Sequence, residues 1–412
     1  MRNFFFLFLL LILSITQFIY AQDSFTISGV IKDKKGETLP GAGIFVSGYK
    51  NATVSNNGGE YSLKLNPGNY ELLIKMVGFK SVNKQVVVSD KNIVLHVELL
   101  ENVIQLNEVV IKPDLNREYN LKTFTDFFIG QTPNALKCKI INPDVLYLDF
   151  DQQNRILTGN CDEFLIIENK ALGYKIKYLI KDFEYNMKNK IIFYQGSPYY
   201  EDLPASKSKK KQWAKKRLEA YNGSPQHFFR SLYSGISNSE GFLMHKLIKT
   251  ENMERPPDSL IKANIRRYSK TLINKSFSIG KLNDSLDYWL SKKSMPETIS
   301  TLNIAVVNPD TLVKNFDNNI KKINFMDILY IVYKNEKEHP VYASLLNQSI
   351  SRPLSMPNYQ ISLINLTVRP VYFYQNGAVY NPKSMLYEGY WSWEKVADSV
   401  PMDYIPPTLQ DQ

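Results

Sequence analysis

Gly-Ala-Gly-Ile-Phe-Val-Ser-Gly, at residues 41–48, combines a short apolar alternation with glycines on either side. Ala42, Ile44 and Val46 occupy every second position, which is the period of a β-strand with one face in a core and the other in water. Similar runs continue along the chain. Their alternating apolar residues are Tyr61, Leu63 and Leu65; Tyr70, Leu72, Ile74 and Met76; Val86 and Val88; and Ile93, Leu95, Val97 and Leu99.

Turn residues separate these runs. They occur at Lys35-Gly36, Leu39-Pro40-Gly41, Asn57-Gly58-Gly59 and Asn66-Pro67-Gly68-Asn69. Glycine and asparagine accept positive φ, and proline presets φ for a turn. About seven short strands at this spacing predict a sandwich of two antiparallel sheets.

The same region resembles the carboxypeptidase-regulatory-like domain. The residues that match, in order, are Gly29, Ile31, Asp33, Gly36, Leu39-Pro40-Gly41-Ala42, Thr53, Gly59-Glu60-Tyr61-Ser62-Leu63 and Val77-Gly78-Phe79-Lys80. The resemblance implies a transthyretin-like (prealbumin-like) β-sandwich over residues 23–111, in a family that is not itself catalytic and often precedes exported proteins of Gram-negative bacteria. Asn56-Asn57 departs from the family, which often has Asp before the turn glycine, and this departure weakens the case for a cation at that turn.

The N-terminus has the pattern of a secretory signal. Arg2 is followed by an almost wholly Phe, Leu and Ile run at residues 4–13, and Ala21-Gln22 offers a cleavage point. We therefore predict a signal peptide at residues 1–22 and an exported mature protein that is periplasmic, outer-membrane associated or secreted. No cysteine lies near the junction, which argues against a lipoprotein.

The remainder of the chain predicts a β-rich α+β region at residues 124–412, joined to the module by a linker at residues 112–123. A division of this region near residues 206–300 stays open. Helices are predicted on either side of Asn222-Gly223, with Ser224-Pro225 as the N-cap and first position of the second helix. Strands are predicted again at Ile328–Tyr333 and Val368–Tyr374. The segments that resemble an uncharacterised group of carboxypeptidase-like regulatory domain-containing proteins are residues 132–143, 167–174 and 194–198, and this resemblance implies an architecture without an activity.

No catalytic, metal or cofactor motif is evident. Zinc peptidases need two histidines and a glutamate as ligands, whereas His96, His227, His245 and His339 are scattered and stand in no His-x-x-Glu pattern. No Gly-x-Ser-x-Gly elbow occurs. Asp149-x-Asp151-x-x-Asn154 matches a hairpin turn better than a calcium loop. A pair of Asp or Glu residues that are distant in sequence can be brought together by folding, so a glycosidase pair stays open as an alternative.

Charge and aromatic clusters offer binding hypotheses. The formal charge of +10 favours anionic lipid or acidic glycan over nucleic acid in an exported protein. A basic run could contact such surfaces or be a solvated helix face; it comprises Lys207, Lys209, Lys210, Lys211, Lys215, Lys216 and Arg217. Tyr390, Trp391 and Trp393, with Tyr404, could stack on sugars, although such residues more often fill a core.

The two cysteines, Cys138 and Cys161, are candidates for a disulfide in an oxidising compartment. Taken together, the sequence favours a non-enzymatic binding or structural protein of the cell envelope, with the leading module as an interaction or spacer domain. Its partner would be an envelope protein or a glycan. We expect this protein itself to be soluble, with a peripheral association with the outer membrane as one option. The alternative is a hydrolase that acts on glycan or peptide through residues 124–412.

The signal sequence makes one prediction that can be tested directly. Mass spectrometry of the protein from its host should find a mature N-terminus at Gln22 or Asp23, because signal peptidase cuts after small residues such as Ala21. An intact Met1 on cytosolic protein would contradict the prediction.

Overall fold

The computed structural model describes residues 24–102, 116–274, 279–317, 319–344, 352–353, 355–356 and 358–407. The predicted signal peptide lies outside the described residues, as does the expected last strand of the leading module, Leu106–Ile111. The described part is β-rich, with helices placed between sheets, as the α+β prediction required. None of its helices is long and apolar enough to cross a membrane.

The leading module is a sandwich of two sheets, which confirms the fold prediction. Its strands are β1 (Phe25–Asp33), β2 (Gly43–Val46), β3 (Ala52–Val54), β4 (Glu60–Leu65), β5 (Gly68–Lys75), β6 (Val82–Val88), β7 (Ile93–Val94) and β8 (Val97–Leu99). One sheet has β1 between antiparallel β4 and the parallel pieces β7 and β8, and the other has the order β3-β2-β5-β6. The single run predicted at Ile93–Leu99 is thus two strands along one edge of β1. At the break, the backbone N–H of Val30 donates to His96 Nδ1 (3.1 Å) and replaces a ladder bond.

The alternation read from the sequence is the burial pattern of the module. In β2, Ile44 and Val46 are fully buried between the sheets, while Phe45 points to the opposite face. Gly59 adopts φ +75°, and a Cβ there would lie 2.7 Å from the carbonyl oxygen of Ile31. The turn therefore requires glycine for both its conformation and its close approach to β1.

A six-stranded sheet follows the module. Its strands are β9 (Cys138–Ile140), β10 (Tyr147–Asp151), β11 (Ile156–Asn160), β12 (Leu165–Asn169), β13 (Tyr174–Asn186) and β14 (Ile191–Asp202). The long hairpin β13–β14 forms the centre of this sheet. Strands β11 and β12 lie end to end along the edge of β13 that does not pair with β14. Helix α1 (Arg117–Phe124) continues into a π-helical turn, Thr125–Ile129, and covers the sheet with Phe124 and Phe128. The helix thus begins before the predicted Phe124, inside the expected linker.

Seven helices and a second set of sheets complete the described part of the chain. The helices are α2 (Lys207–Tyr221), α3 (Pro225–Ser234), α4 (Asp258–Asn274), α5 (Ile279–Ser294), α6 (Pro309–Leu312), α7 (Pro340–Ala343) and α8 (Tyr390–Trp393). The strands are β15 (Phe242–Glu251), β16 (Thr298–Asn303), β17 (Val313–Asp317), β18 (Ile320–Ile323), β19 (Ile328–Lys337), β20 (Tyr359–Leu366), β21 (Val371–Tyr374) and β22 (Met385–Gly389). They form sheets of order β16-β15-β19-β20-β22 and β17-β18-β21.

The predicted start of α3 is confirmed. The hydroxyl of Ser224 accepts the backbone N–H of His227 (3.2 Å), and Pro225 occupies the first helical position. Gly235 ends the helix in the left-handed conformation, with φ +72°. A cap at each end fixes where α3 lies, and α3 carries Arg230 to the site described below.

The predicted disulfide between Cys138 and Cys161 is not present, since both residues are free thiols. Cys138 lies on β9 opposite Asn169, which in turn pairs with Tyr174 at the start of β13. The backbone N–H of Cys161 donates to the carbonyl of Ile180 farther along β13. Tyr174 and Ile180 are about 20 Å apart at the strand rise of about 3.4 Å per residue, and a disulfide needs Cα atoms within about 7 Å.

The module is packed against the rest of the chain through β2 and the turn that follows it. The ring of Phe45 lies edge-on to Phe164 and Tyr199, with centroid distances of 5.2 and 5.0 Å. The backbone N–H of Gly48 donates to Pro198 (2.6 Å), and its carbonyl accepts from Met402 (2.7 Å). Both backbone polar groups of Gly48 are therefore bonded outside the module.

We expect Phe45→Ala to lower the free energy of unfolding by about 2 kcal/mol, because it removes two edge-to-face ring contacts and opens a gap at the interface. Urea unfolding monitored by circular dichroism measures this loss. Val54→Ala is the matched control, since Val54 belongs to the same sheet but is 60% exposed. Equal stability of the two variants would show that the module does not gain stability from this contact.

Candidate functional site

A cleft of about 610 Å³ lies where the module meets the C-terminal part of the chain. The module contributes the turn between β4 and β5 and the residue after Gly48. The other wall comes from α3, the end of β21 and the segment that precedes residue 407. The cleft is lined by Tyr49, Asn66, Pro67, Gly68, Asn69, Tyr70, Arg230, Asn319, Tyr374, Gln375, Asn376, Met402, Asp403, Tyr404, Ile405 and Pro406. Its volume is in the range of small-ligand sites.

Arg230 holds the C-terminal wall in place. Its guanidinium donates to three backbone carbonyls, those of Met402 (2.6 Å), Tyr404 (2.7 Å) and Asn376 (3.0 Å). Bonds from a charged donor to carbonyls are stronger than neutral ones, and the planar fork fixes their directions. Arg230 is therefore a positioning residue whose donors are largely engaged by the protein itself.

Tyrosines join the two walls. Asn376 Nδ2 donates to the hydroxyl of Tyr49 (2.7 Å), and the ring of Tyr49 lies 5.3 Å from that of Tyr70. The hydroxyl of Tyr70 donates to the carbonyl of Asn66 (2.9 Å). Burial raises the pKa values of Tyr49 and Tyr70, so both phenols stay neutral at physiological pH. The wall of the cleft therefore combines aromatic faces with neutral polar groups.

Asp403 is the carboxylate of the cleft. Its Oδ1 is buried and has no hydrogen-bond partner among the described residues. Burial raises the pKa of Asp403, and the positive charge of Lys50, hydrogen bonds from the backbone N–H groups of Asp403 and Lys50, and the positive charge of Arg230 oppose that rise. Lys50 itself pairs with Asp202 (3.3 Å). A buried acceptor without a donor costs free energy, and a hydroxyl or amide donor bound in the cleft would remove that cost.

The structure separates the aromatic residues that the sequence grouped. Trp391 is core: its Nε1 donates to the carbonyl of Gly223 (2.6 Å) and its ring packs on Phe228. Tyr390 is buried, and Tyr390 and Trp393 pack against Tyr342. The rings of Tyr390 and Trp391 are therefore used in packing, whereas Trp393 is half-buried. None of the three lines the cleft, and their ligand contacts stay a prediction. Tyr404, considered with them, does line the cleft.

Sequence reasoning missed the other cleft residues. Asn66–Asn69 was recognised as a turn, but nothing in the sequence places that turn beside Arg230 and Asp403. The apolar Phe45 on the outer face of a predicted strand was the one available signal that this face of the module is covered.

The histidines lie in separate surroundings. His227 Nδ1 accepts the N–H of Gly223 and its Nε2 lies 3.2 Å from Glu240, and burial lowers the pKa of His227. His339 Nδ1 accepts the N–H of Val341 at the start of α7. Within the described ranges, no three His, Cys, Asp or Glu residues are grouped to hold a metal ion. The turn carboxylate Asp151 is bound by Asn154, at 2.7 and 2.9 Å, as the hairpin interpretation required.

Carboxylates do converge elsewhere, behind α8. Asp398 accepts from Thr132 (2.9 Å) and Asn134 (2.9 Å), and burial raises the pKa of Asp398 to about 6. Burial, together with the negative charges of Asp398 and Glu336, holds the pKa of Glu394 well above its usual range. Neither Glu394 nor Asp398 lines the cleft.

Comparison with known proteins supports the identity of the leading module only. Residues 27–111 match the model of the CarboxypepD_reg-like domain, which confirms the resemblance over that part of the chain. No curated protein matches the sequence.

Solved structures share only parts of the architecture. Catechol 1,2-dioxygenase from Acinetobacter sp. ADP1 is 10% identical, with a TM-score of 0.18 over 21% of this chain and 55% of that one. The Bacillus anthracis TIE protein is 14% identical, with a TM-score of 0.18 over 45% of this chain and 28% of that one. A DUF3823 family protein from Parabacteroides merdae ATCC 43184 is 11% identical, with a TM-score of 0.16 over 43% of this chain and 80% of that one. This chain thus spans little more than half of the dioxygenase, and overlaps of this size carry no functional argument.

The pKa of Asp398 predicts a pH dependence of stability. A carboxyl whose pKa is about 6 in the folded protein and about 3.9 in the unfolded chain makes the folded state bind the proton more tightly. Stability should therefore fall as pH rises from about 4 to about 6, by up to about 3 kcal/mol. Urea unfolding at a series of pH values should show this slope flattened in Asp398→Asn, which keeps an oxygen acceptor for Asn134.

Asp90→Asn is the control for that experiment, because Asp90 is an exposed aspartate in a loop of the module. It should keep the wild-type slope. An Asp398→Asn variant with an unchanged slope would mean that Asp398 titrates as an ordinary aspartate.

Proposed function

We propose that this is a non-enzymatic, exported binding protein of the cell envelope, in which the CarboxypepD_reg-like module forms one wall of a cleft for a neutral glycan. The observation that carries the proposal is the cleft between the module and the C-terminal wall, where Asp403 has an unpaired buried oxygen beside tyrosine rings. Export rests on the N-terminal sequence pattern. The partner would be an envelope glycan, or a glycosylated protein.

The position of the module favours an interaction domain over a spacer. A spacer needs few contacts with its neighbours, whereas Gly48 and Tyr49 bond to β14, to Met402 and to Asn376. The Asn66–Tyr70 turn contributes directly to the cleft. Removal of the module would therefore remove half of the site.

The chemistry of the lining favours a neutral sugar over an anion. Sugars present hydroxyl groups to amide and carboxylate acceptors and an apolar ring face to aromatic side chains. The cleft offers both, through Asp403 and through Tyr374 and Tyr404. Its cation, Arg230, donates to three carbonyls, so few of its five N–H donors are left to bind an acidic ligand.

A hydrolase that acts on glycan or peptide is the second candidate. The raised pKa values of Glu394 and Asp398 favour it, because perturbed carboxylates are common in catalytic sites. Against it, Asp398 is bound by Thr132 and Asn134, and the pair lies away from the cleft. Structural networks perturb carboxylates in the same way, so we rank binding first.

Titration calorimetry with a panel of short neutral oligosaccharides tests the proposal. We expect one or more to bind, and Asp403→Ala and Tyr404→Ala to weaken binding by about tenfold each, because each removes one polar or stacking contact worth about 1.4 kcal/mol. Tyr147→Ala is the matched control, since Tyr147 is 60% exposed and lies on β10, outside the cleft.

Two outcomes would contradict the binding proposal. One is binding that all three variants retain equally. The other is release of new reducing ends from the oligosaccharides that Glu394→Gln abolishes, which would establish the hydrolase instead.

A further inference from the structure

A second concave surface lies at the N-terminal half of α2, and its chemistry is the opposite of that of the cleft. It is an open groove of about 710 Å³. We call it the lysine groove, and it is lined by Lys137, Glu168, Lys170, Lys175, Leu203, Pro204, Lys209 and Trp213. Its four lysines come from four separate parts of the chain: the turn before β9, the turn after β12, β13 and α2.

Trp213 fixes the geometry of the lysine groove. Its Nε1 donates to the carbonyl of Lys170 (3.0 Å), and its ring packs on Gly173, where a Cβ would come within 2.1 Å of the ring. The N–H of Lys170 in turn donates to the carbonyl of Lys137 (3.1 Å). Lys209 Nζ lies 5.9 Å from the centroid of the Trp213 ring. The backbones that carry three of the lysines are thus held around one buried ring.

The charge of the lysine groove is not neutralised by nearby carboxylates. Lys170 lies 3.9 Å from Glu168, the limit of an ion pair. Glu201, the cross-strand neighbour of Lys175, forms its ion pair with Lys177 instead, at 2.6 Å. Across the part of the chain that the structure describes, no carboxylate forms an ion pair with Lys137, Lys175 or Lys209. Four ammonium groups therefore face one carboxylate.

The basic run of the sequence extends this positive surface along α2. Ser206 caps the helix, and the exposed lysines that follow it are Lys207, Lys210, Lys211, Lys215 and Lys216. The exposed side of α2 presents lysines and no large apolar side chain, because Trp213 and Tyr221 are buried. A helix that enters a membrane interface needs an apolar face. A concave cationic groove without one suits a chain of anionic groups in water.

We propose that the lysine groove binds an acidic glycan, that is, a sugar chain that carries carboxylate, sulfate or phosphate groups. Anionic groups contact Lys137, Lys170, Lys175 and Lys209, and sugar rings cover Leu203 and Pro204. The site is separate from the cleft, where the cation is already engaged. The chain would therefore bind two chemically different glycan surfaces, and this second site does not depend on the first.

The test compares two triple variants that remove the same charge. Lys137→Gln, Lys175→Gln and Lys209→Gln remove groove lysines, whereas Lys210→Gln, Lys211→Gln and Lys215→Gln remove exposed lysines of α2 outside the groove lining. The probes are heparin and polygalacturonate, with dextran as the neutral control, measured by calorimetry in about 0.15 M salt. We expect about a tenfold or greater loss of affinity for both acidic probes in the groove variant and a much smaller loss in the other.

Equal losses in the two variants would overturn the proposal, because a diffuse charge would then explain the binding. So would vesicles of anionic lipid, or single-stranded DNA, that bind through the groove lysines more tightly than either acidic polysaccharide. Circular dichroism melting verifies that both variants fold, and the single reversal Lys209→Glu on the exposed first half of α2 repeats the test with less risk to folding. An unchanged affinity in Lys209→Glu would also count against the groove.

Discussion

One residue, Gly48, is hydrogen-bonded through both of its backbone groups to parts of the chain outside the module. Its N–H donates to Pro198 on β14, and its carbonyl accepts from Met402. Gly48 has φ +85°, and a Cβ there would lie 3.1 Å from the side chain of Met402. Only glycine combines this conformation with such a close approach. The bonds bring the tip of the module next to the six-stranded sheet and the C-terminal wall, and the cleft exists because these three parts meet.

The polar groups at this junction differ in how completely their hydrogen bonds are satisfied. Arg230 is bonded to three carbonyls, and Tyr49 accepts from Asn376, so the frame of the cleft is rigid. Of the residues that line the cleft, Asp403 keeps a buried oxygen, Oδ1, without a hydrogen-bond partner among the described residues. In a preorganised binding site, the residues that form the frame are hydrogen-bonded to one another and an acceptor is left for the ligand. The cleft has this arrangement. The same contrast appears at the lysine groove, where Trp213 is held firmly and the lysines around it are largely unpaired.

Local patterns predicted local structure well. Period-two alternation gave the strands of the module because each strand buries one face, and Ser224-Pro225 marked a helix start because capping depends on adjacent residues. Long-range relations could not be read in this way. The separation of Cys138 from Cys161 depends on where β9 pairs with β12 and where β11 and β12 pair with β13, which no spacing encodes. The aromatic cluster at Tyr390–Trp393 has the composition of a sugar site. In the fold, however, the indole N–H of Trp391 donates to the carbonyl of Gly223 and its ring packs on Phe228. Only Phe45, an apolar side chain on the face expected to be wet, hinted that another part of the chain covers the module.

The bond between Tyr49 and Asn376 joins residues 327 positions apart. Closing so long a loop is entropically costly, and contacts of high sequence separation form late in folding. The sandwich, whose strands pair within a short span of chain, can form while most of the polypeptide is still unfolded, and so can the β13–β14 hairpin. The cleft cannot form at that early stage of folding, because its second wall comes from residues near the end of the described chain. Recognition of the proposed ligand at the cleft would thus require a completely folded molecule, and a partly synthesised chain would have no binding activity there.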